Sequence, residues 1–234
     1  MEKIKITIAT VSFNDSKNLK STIDNIKDIK SKYKIDFDIQ FIVKDGGSLD
    51  CTDTICNEAL DENIIDVYLS KKDLGIYDAM NQVWEIIDKE RYVIFLGAGD
   101  KIINLPSSVS FTYPAILGTT YIGPREFKSR VSLKLFIGNS VHHQSVFLHK
   151  GNIDNPFDLR FPRYSDFNLM QKLFLRYKII YIIDDNFVAY ADPYGVTSKL
   201  DVFEVAKVVN NNFNVIITFL SILYGCWTKI RERF

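Results

Sequence analysis

The sequence predicts an α/β fold with a mostly parallel sheet covered by helices on both faces. Three observations carry that prediction. Short β-branched runs alternate with helical patterns of about ten residues, which is the rhythm of strand–helix–strand units. Polar, Gly- or Asp-containing segments at 12–15, 45–48 and 97–100 each follow the C-terminal end of a predicted strand. A chain of 234 residues with 47% hydrophobic side chains can bury one substantial core.

The elements follow in order. Ile4 to Val11 is a β-branched run ended by Ser12-Phe13-Asn14-Asp15, and Leu19, Ile23, Ile26 and Ile29 recur at helical spacing after it. Phe37 to Val43 is a second strand, stopping at Lys44-Asp45-Gly46-Gly47-Ser48, with a helix from Asp53 to Leu60. Ile64 to Leu69 reads as a third strand, Tyr77 to Ile87 as a helix, and Tyr92 to Leu96 as a fourth strand ending at Gly97-Ala98-Gly99-Asp100. From Ser107 to Leu135 short β-like pieces mix with Pro114, Gly123 and Pro124. Asp166 to Tyr177 is then helical and Ile179 to Ile183 a strand. Residues 202–234 form a tail whose apolar run, Val215 to Trp227, falls short of the roughly 20 residues needed to span a bilayer. Lys229, Arg231 and Arg233 after it suit a segment lying against anionic headgroups; packing on the domain or on a second subunit is equally open.

Charge and cysteine content narrow the function. The 29 basic and 29 acidic residues cancel, so no global field would hold the chain on a nucleic acid. Cys51, Cys56 and Cys226 form no C-x-x-C pair, and the N-terminus enters a strand without a signal-peptide pattern, so a reducing cytoplasm is expected. In open α/β sheets ligands bind at the C-terminal edge of the strands, where the three polar segments fall.

Five stretches carry more specific information: Ile6 to Asn14; Val43-Lys44-Asp45-Gly46-Gly47-Ser48-Leu49-Asp50-Cys51-Thr52; Ser70 to Asn81 with its Gly75-Ile76-Tyr77-Asp78-Ala79-Met80-Asn81; Phe95-Leu96-Gly97-Ala98-Gly99-Asp100; and His142 to Phe147 with Arg163 to Leu169. Together they resemble the family 2 inverting glycosyltransferases over roughly Ile4 to Ser198. The second is similar to that family's V-x-D-G-G-S-x-D-G-T turn, the third to S-E-x-D-x-G-I-Y-D-A-M-N, and the fourth to the F-L-N-A-G-D form of the D-x-D motif. The last pair is similar to an H-Q-x-x-F strand and an A-x-D-Y-x-L helix start. Tyr194 to Ser198 resembles a G-G-I-S loop that closes over the donor. Departures are Cys51 for Gly, Lys71 for Glu and Gly97 for Asn, the last leaving one carboxylate in the turn.

The resemblance implies a GT-A fold, with a Rossmann-like central sheet and an amphipathic helical tail. It divides the chain into a nucleotide-binding half at 1–104, an acceptor-binding half at 105–201 and the tail at 202–234. It implies a nucleotide-sugar donor, a UDP-sugar, held by Thr10, Val11, Asn14, Asp45, Gly46, Asp73, Gly75, Tyr77, Asp78, Asn81, Ala98 and Gly99. Asp100 would bind Mn²⁺ or Mg²⁺, since a hard cation on one or two carboxylates plus phosphate oxygens neutralises a diphosphate. His143 and Gln144 would face the phosphates or the acceptor, and Asp166 would be the catalytic base. Plainer readings stand beside these: Asp50 and Thr52 as caps, Asp78 and Asn81 as helix-start residues, His143 as a hydrogen-bonded structural residue, Asp166 as an N-cap. The expected role is sugar transfer to a saccharide or lipid-linked saccharide in bacterial surface-polysaccharide assembly. The site would lie in the cytoplasm, on the inner membrane face if the tail binds lipid, or in a homo-oligomer if the tail pairs. A nucleotidyltransferase would need a Gly/Arg/Lys-rich triphosphate loop, which Ser12-Phe13-Asn14-Asp15 is not; a non-catalytic scaffold would bind nucleotide without turnover.

Overall fold

Strand β1 (Ile4–Ser12) shows why the sheet is covered on both sides. Ile6 and Ile8 enter one apolar cluster while Ala9 and Val11, facing the other way, enter a second. A strand with no polar face needs a layer on each side. The computed structural model describes residues 2–193 and 200–231.

Helix α1 (Ser16–Tyr33) buries Leu19, Ile23, Ile26 and Ile29, the stripe the sequence spacing predicts. There follow β2 (Phe37–Asp45), α2 (Thr52–Asp61), β3 (Val67–Ser70), α3 (Ile76–Ile86) and β4 (Tyr92–Gly97). The third strand starts later than Ile64 because the Ile64 and Ile65 N–H groups both bond to the Ala59 carbonyl, closing α2 instead of joining the ladder. Beyond β4 come β5 (Lys101–Asn104), β6 (Ala115–Ile122), β7 (Arg125–Lys128) and β8 (Val146–His149). Helix α4 (Ser165–Met170) continues as a π-helical turn over Gln171–Arg176, and β9 (Tyr181–Ala191) follows.

Among the described residues the strands form one sheet in the order β3-β2-β1-β4-β8-β6-β9-β5, with β7 paired to β6. The expected parallel order holds from β3 to β4 and again between β6 and β9. The second half is mixed, because β8 runs antiparallel to both β4 and β6, and β5 to β9. Residues 123 and 124 make a two-residue hairpin from β6 to β7, with Gly123 at φ 56°.

The tail is two helices. Helix α5 (Val202–Asn212), capped by Asp201, packs Val205, Val208 and Val209 into the cluster with α3 and α4. Helix α6 (Val215–Arg231) follows a break at Phe213 and Asn214. No helix among the described residues is long and apolar enough to cross a membrane.

Strand register sets Ser12 beside Asp45, Asp45 beside Ser70, and Val11 beside Gly97. The C-terminal ends of β1 to β4 therefore share one edge, as the positions of the polar segments predicted.

Candidate active site

The loops at this edge are stitched together by short polar side chains. The Asp45 carboxylate, 2% exposed, accepts from the Gly47 and Ser48 N–H groups and from the Ser48 and Ser70 hydroxyls. Four donors fill its four lone-pair directions, so Asp45 first of all shapes the Gly46-Gly47 turn; a base N–H would have to displace a hydroxyl. Asn14, at φ 51°, accepts from the Leu49 N–H at 2.8 Å through its side chain, and its own N–H donates to Ser48 Oγ at 2.7 Å. Asp50 accepts from the Thr52 hydroxyl and N–H and from the Ser16 N–H, and those bonds, the Thr52 hydroxyl foremost, hold its carboxyl down at about 2. The capping reading of Asp50 holds, and the residue also ties the first loop to the second. Thr10 and Val11 are buried side chains, so at this edge they offer backbone only.

Two residues here escaped the sequence reading. Lys44 is wholly buried, and its ammonium donates to the carbonyls of Asp45 and Lys71 and, at 2.9 Å, to Asp73 Oδ2. A lysine inside a strand covered on both faces was the available signal. Phe13 is 63% exposed, and both its ring and Asp73 crowd the Gly46 turn: a Cβ on Gly46 would lie 3.1 Å from Phe13 Cδ2 and 3.0 Å from Asp73 Oδ2. The turn thus has an exposed aromatic ring and a carboxylate packed close against it.

The Gly75 to Asn81 segment, expected as the floor, makes several structural hydrogen bonds of its own. Gly75 takes φ 124°, open to glycine alone. Asp78 accepts from the Leu74 N–H and the Gln82 amide, the helix-start reading, while Asn81 exchanges two hydrogen bonds with the Phe157 backbone. Tyr77 is stacked on Phe157 and donates to Asp166 Oδ1 at 2.7 Å.

Asp166 is not an N-cap: Tyr164 occupies that position, without a side-chain cap bond. Its other oxygen lies 2.9 Å from His143 Nδ1. His143 and Gln144 sit on a 3₁₀ turn, His143–Ser145, leading into β8, and not on the strand itself, because the His142 carbonyl takes the Ser145 N–H. Burial alone would raise Asp166, but the His143 hydrogen bond and charge and the Tyr77 hydroxyl outweigh it and hold the carboxyl below its usual range. Burial likewise works to lower His143, and the Asp166 carboxylate wins, leaving the imidazole above its usual value. Trp84, Phe95, Phe157 and Leu169 line a small apolar cavity against His143, which accounts for the desolvation. His142, stacked on His143, is driven by burial down to about 4 and is neutral.

Gln144 makes the link to the other carboxylate. Its amide donates to Asp100 Oδ2 at 3.1 Å, an oxygen that also accepts from the Gly97 N–H at 2.6 Å. Asp100 Oδ1 accepts from the Asp192 N–H at 2.9 Å, and Asp192 Oδ2 comes within 2.9 Å of where a Gly99 Cβ would sit. Burial raises Asp100 against the pull of the Asp192 and Gly97 N–H groups. Asp192, 92 residues away in sequence, is a second carboxylate beside the turn that motif reading assigned only one. Among the described residues no three His, Cys, Asp or Glu side chains converge to hold an ion. The donor set fits a cation that arrives with a diphosphate: Asp100 has one lone pair left after its three bonds, and such ions keep most of their ligands from phosphate and water. The Tyr194 to Ser198 loop and Arg233 lie outside the described residues.

Comparisons with known proteins bear on the fold and on residues 7–100. Residues 7–100, which contain the four strand ends and Asp100, match the model of Glycosyl transferase family 2. No curated protein matches the sequence. Among solved structures, Staphylococcus aureus TarS aligns with a TM-score of 0.62 at 15% identity, covering 88% of this chain and 39% of that one. Its 1–349 portion in complex with UDP-GlcNAc aligns with a TM-score of 0.61, covering 89% and 66%. The mannosyltransferase PcManGT of Pyrobaculum calidifontis, in complex with GDP-Man and Mn²⁺, gives 0.57 at 13% identity over 96% and 69%. Glucosyl-3-phosphoglycerate synthase of Mycobacterium tuberculosis, in complex with Mn²⁺, UDP and glucosyl-3-phosphoglycerate, gives 0.53 at 16% identity over 94% and 80%. The chain spans well under half of the full TarS chain and about two thirds of its 1–349 portion. The described chain thus has the GT-A glycosyltransferase fold, and residues 7–100 carry the Glycosyl transferase family 2 match.

Proposed function

We propose that the chain is a glycosyltransferase that moves a sugar from a nucleotide-sugar donor, a UDP-sugar, to an acceptor hydroxyl with inversion. One observation carries this reading: Asp166, gripped by Tyr77 and His143, is joined through the neighbouring Gln144 to Asp100, so a base and a phosphate-side carboxylate share one rigid frame.

The base would stack on Phe13 above the Gly46 turn, with Asp73 beside it and the ribose and diphosphate running toward Gly99 and Asp100. The acceptor oxygen would attack the anomeric carbon in line as the bond to the diphosphate breaks. Asp166, ionised at neutral pH because it is held below the usual range, takes the acceptor proton. A low proton affinity is tolerable, since the hydroxyl becomes strongly acidic only as attack proceeds and position dominates the rate. His143 and Tyr77 keep the carboxylate aimed. Asp100, with Asp192 beside it, would hold Mn²⁺ or Mg²⁺, which when bound neutralises charge on the departing diphosphate. The acceptor would be a saccharide or lipid-linked saccharide of a bacterial surface polysaccharide, handled in the cytoplasm. A non-catalytic scaffold is the second reading, favoured by the number of donors already on Asp45 and Asp100.

The test is a thermal-shift and hydrolysis screen of nucleotides and nucleotide sugars with Mn²⁺. UDP with Mn²⁺ should raise the melting temperature by mass action and a UDP-sugar should be slowly hydrolysed. A shift without turnover of any donor favours the scaffold, and a shift with another nucleotide instead of UDP rejects the uridine assignment.

A further inference from the structure

Helix α6 packs on the domain through Ser221 and Gly225, with Ile217 against the core and Tyr224 against Gly138 beside them. Its two buried positions are Ser221, whose hydroxyl donates to the Ile137 carbonyl at 2.8 Å, and Gly225, which lies so close to Val202 that a Cβ would meet Cγ1 at 2.9 Å. The other face points out: Val215, Ile216, Phe219, Leu223, Trp227 and Ile230 are each 51–73% exposed. A contiguous apolar face left outward marks an interface.

The charges around that face indicate what covers it. Helix α6 contains no Asp or Glu, and its charged residues are Lys229 and Arg231 in the last turn. The Arg231 guanidinium lies over the Trp227 ring at 5.5 Å, and Lys134 over the Tyr224 and Phe127 rings at 6.0 and 5.8 Å. Apolar side chains bordered by aromatic rings and cations, with no acidic partner for those cations on the same helix, match the layering of acyl chains, carbonyl region and anionic headgroups. We infer that the outward face of α6 docks on an anionic bilayer surface, lying in its plane. Ring contacts from Phe127 to His142 and on to His143 connect this border to Asp166. Docking would bring the site to the membrane and suit a lipid-linked acceptor; that consequence rests on the transferase reading, whereas docking does not.

The experiment uses the full chain with vesicles of phosphatidylcholine alone or with about 30% phosphatidylglycerol, read by co-sedimentation and tryptophan emission. Trp84 is buried and serves as a constant background, so a blue shift reports Trp227. Partition into the anionic vesicles should exceed that into neutral ones by roughly tenfold and fall at about 0.5 M NaCl. Phe219→Ser with Leu223→Ser should cut it by roughly tenfold again with little change in melting temperature, because both side chains are exposed. Should that variant fold poorly, Lys229→Glu with Arg231→Glu must remove the preference for anionic vesicles. Equal partition into both vesicles overturns the anionic assignment. No partition into either overturns docking, and a dimer dissolved by the Phe219 and Leu223 changes would give the face to a second copy.

Discussion

Lys44→Met removes one charge from the centre of the edge while keeping an unbranched stem of similar length. The ammonium satisfies three acceptors, the Asp45 and Lys71 carbonyls and Asp73 Oδ2, from a fully buried position. Hydrogen bonds to a charged group are worth about 1.5–3 kcal/mol, and removing one member of a buried pair costs about 3–5 kcal/mol. The Asp73 side chain is 14% exposed, so water can repair part of the damage, which places the expected loss near 3 kcal/mol. For a chain of this size that is a fall of roughly 6–12 °C in melting temperature. Urea unfolding with an unchanged slope is the assay. Lys20→Met is the control: its partner Asp24 and Lys20 itself are both more than half exposed, and the change should stay within about 0.5 kcal/mol. UDP affinity should also drop, because Lys71 and Asp73 lose their anchor. A Lys44→Met stability within about 1 kcal/mol of wild type would refute the view that this lysine organises the edge.

Two further outcomes concern the carboxylates. The imidazole of His143 is raised above 6.5, so its stabilisation is complete below that value and is lost as pH rises through the raised one; Asp166 is lowered from 3.8, so its share is complete above 3.8 and lost as pH falls through the depressed one. The pair therefore contributes most between those two ordinary values, and His143→Gln should flatten the unfolding free energy across that window in urea melts taken from acid to mildly alkaline pH. Gly99→Ala places a Cβ 2.9 Å from Asp192 Oδ2 at φ 94°, and should cost about 1–3 kcal/mol by urea unfolding while weakening Mn²⁺-dependent UDP binding measured by calorimetry.

Much of the nucleotide half was readable because its signals are local. The isoleucine stripe of α1, the Gly46-Gly47 turn and the Gly97 to Asp100 turn are written in adjacent residues, and each lies where the spacing put it. The rest depends on distance. Strands β5 and β8 have four residues each, too few for a period to register. Asp192 reaches Asp100 only because β9 runs alongside β6 to the same edge, and Tyr77 reaches Asp166 across 89 residues. Residue type alone also leaves a role open when a polar side chain serves its own loop: Asn14, Asp78 and Asn81 carry the motif and each also makes structural hydrogen bonds. Hydrophobic content marked the tail as amphipathic without revealing that Ser221 and Gly225 form the packed side.

The most direct measurement is the transfer rate of Asp166→Asn beside its UDP affinity, with Asp100→Asn as the contrast. Asparagine keeps the size of Asp166 and can still accept from the Tyr77 hydroxyl, but it cannot take a proton, so transfer should fall by about 10²–10⁴-fold. UDP binding in Mn²⁺ should survive in that variant and be weakened in Asp100→Asn, whose carboxylate is the one proposed to hold the cation. Near-wild-type transfer by Asp166→Asn would contradict the assignment of the base, and a parallel loss of binding and transfer would make Asp166 a structural partner of His143 and Tyr77.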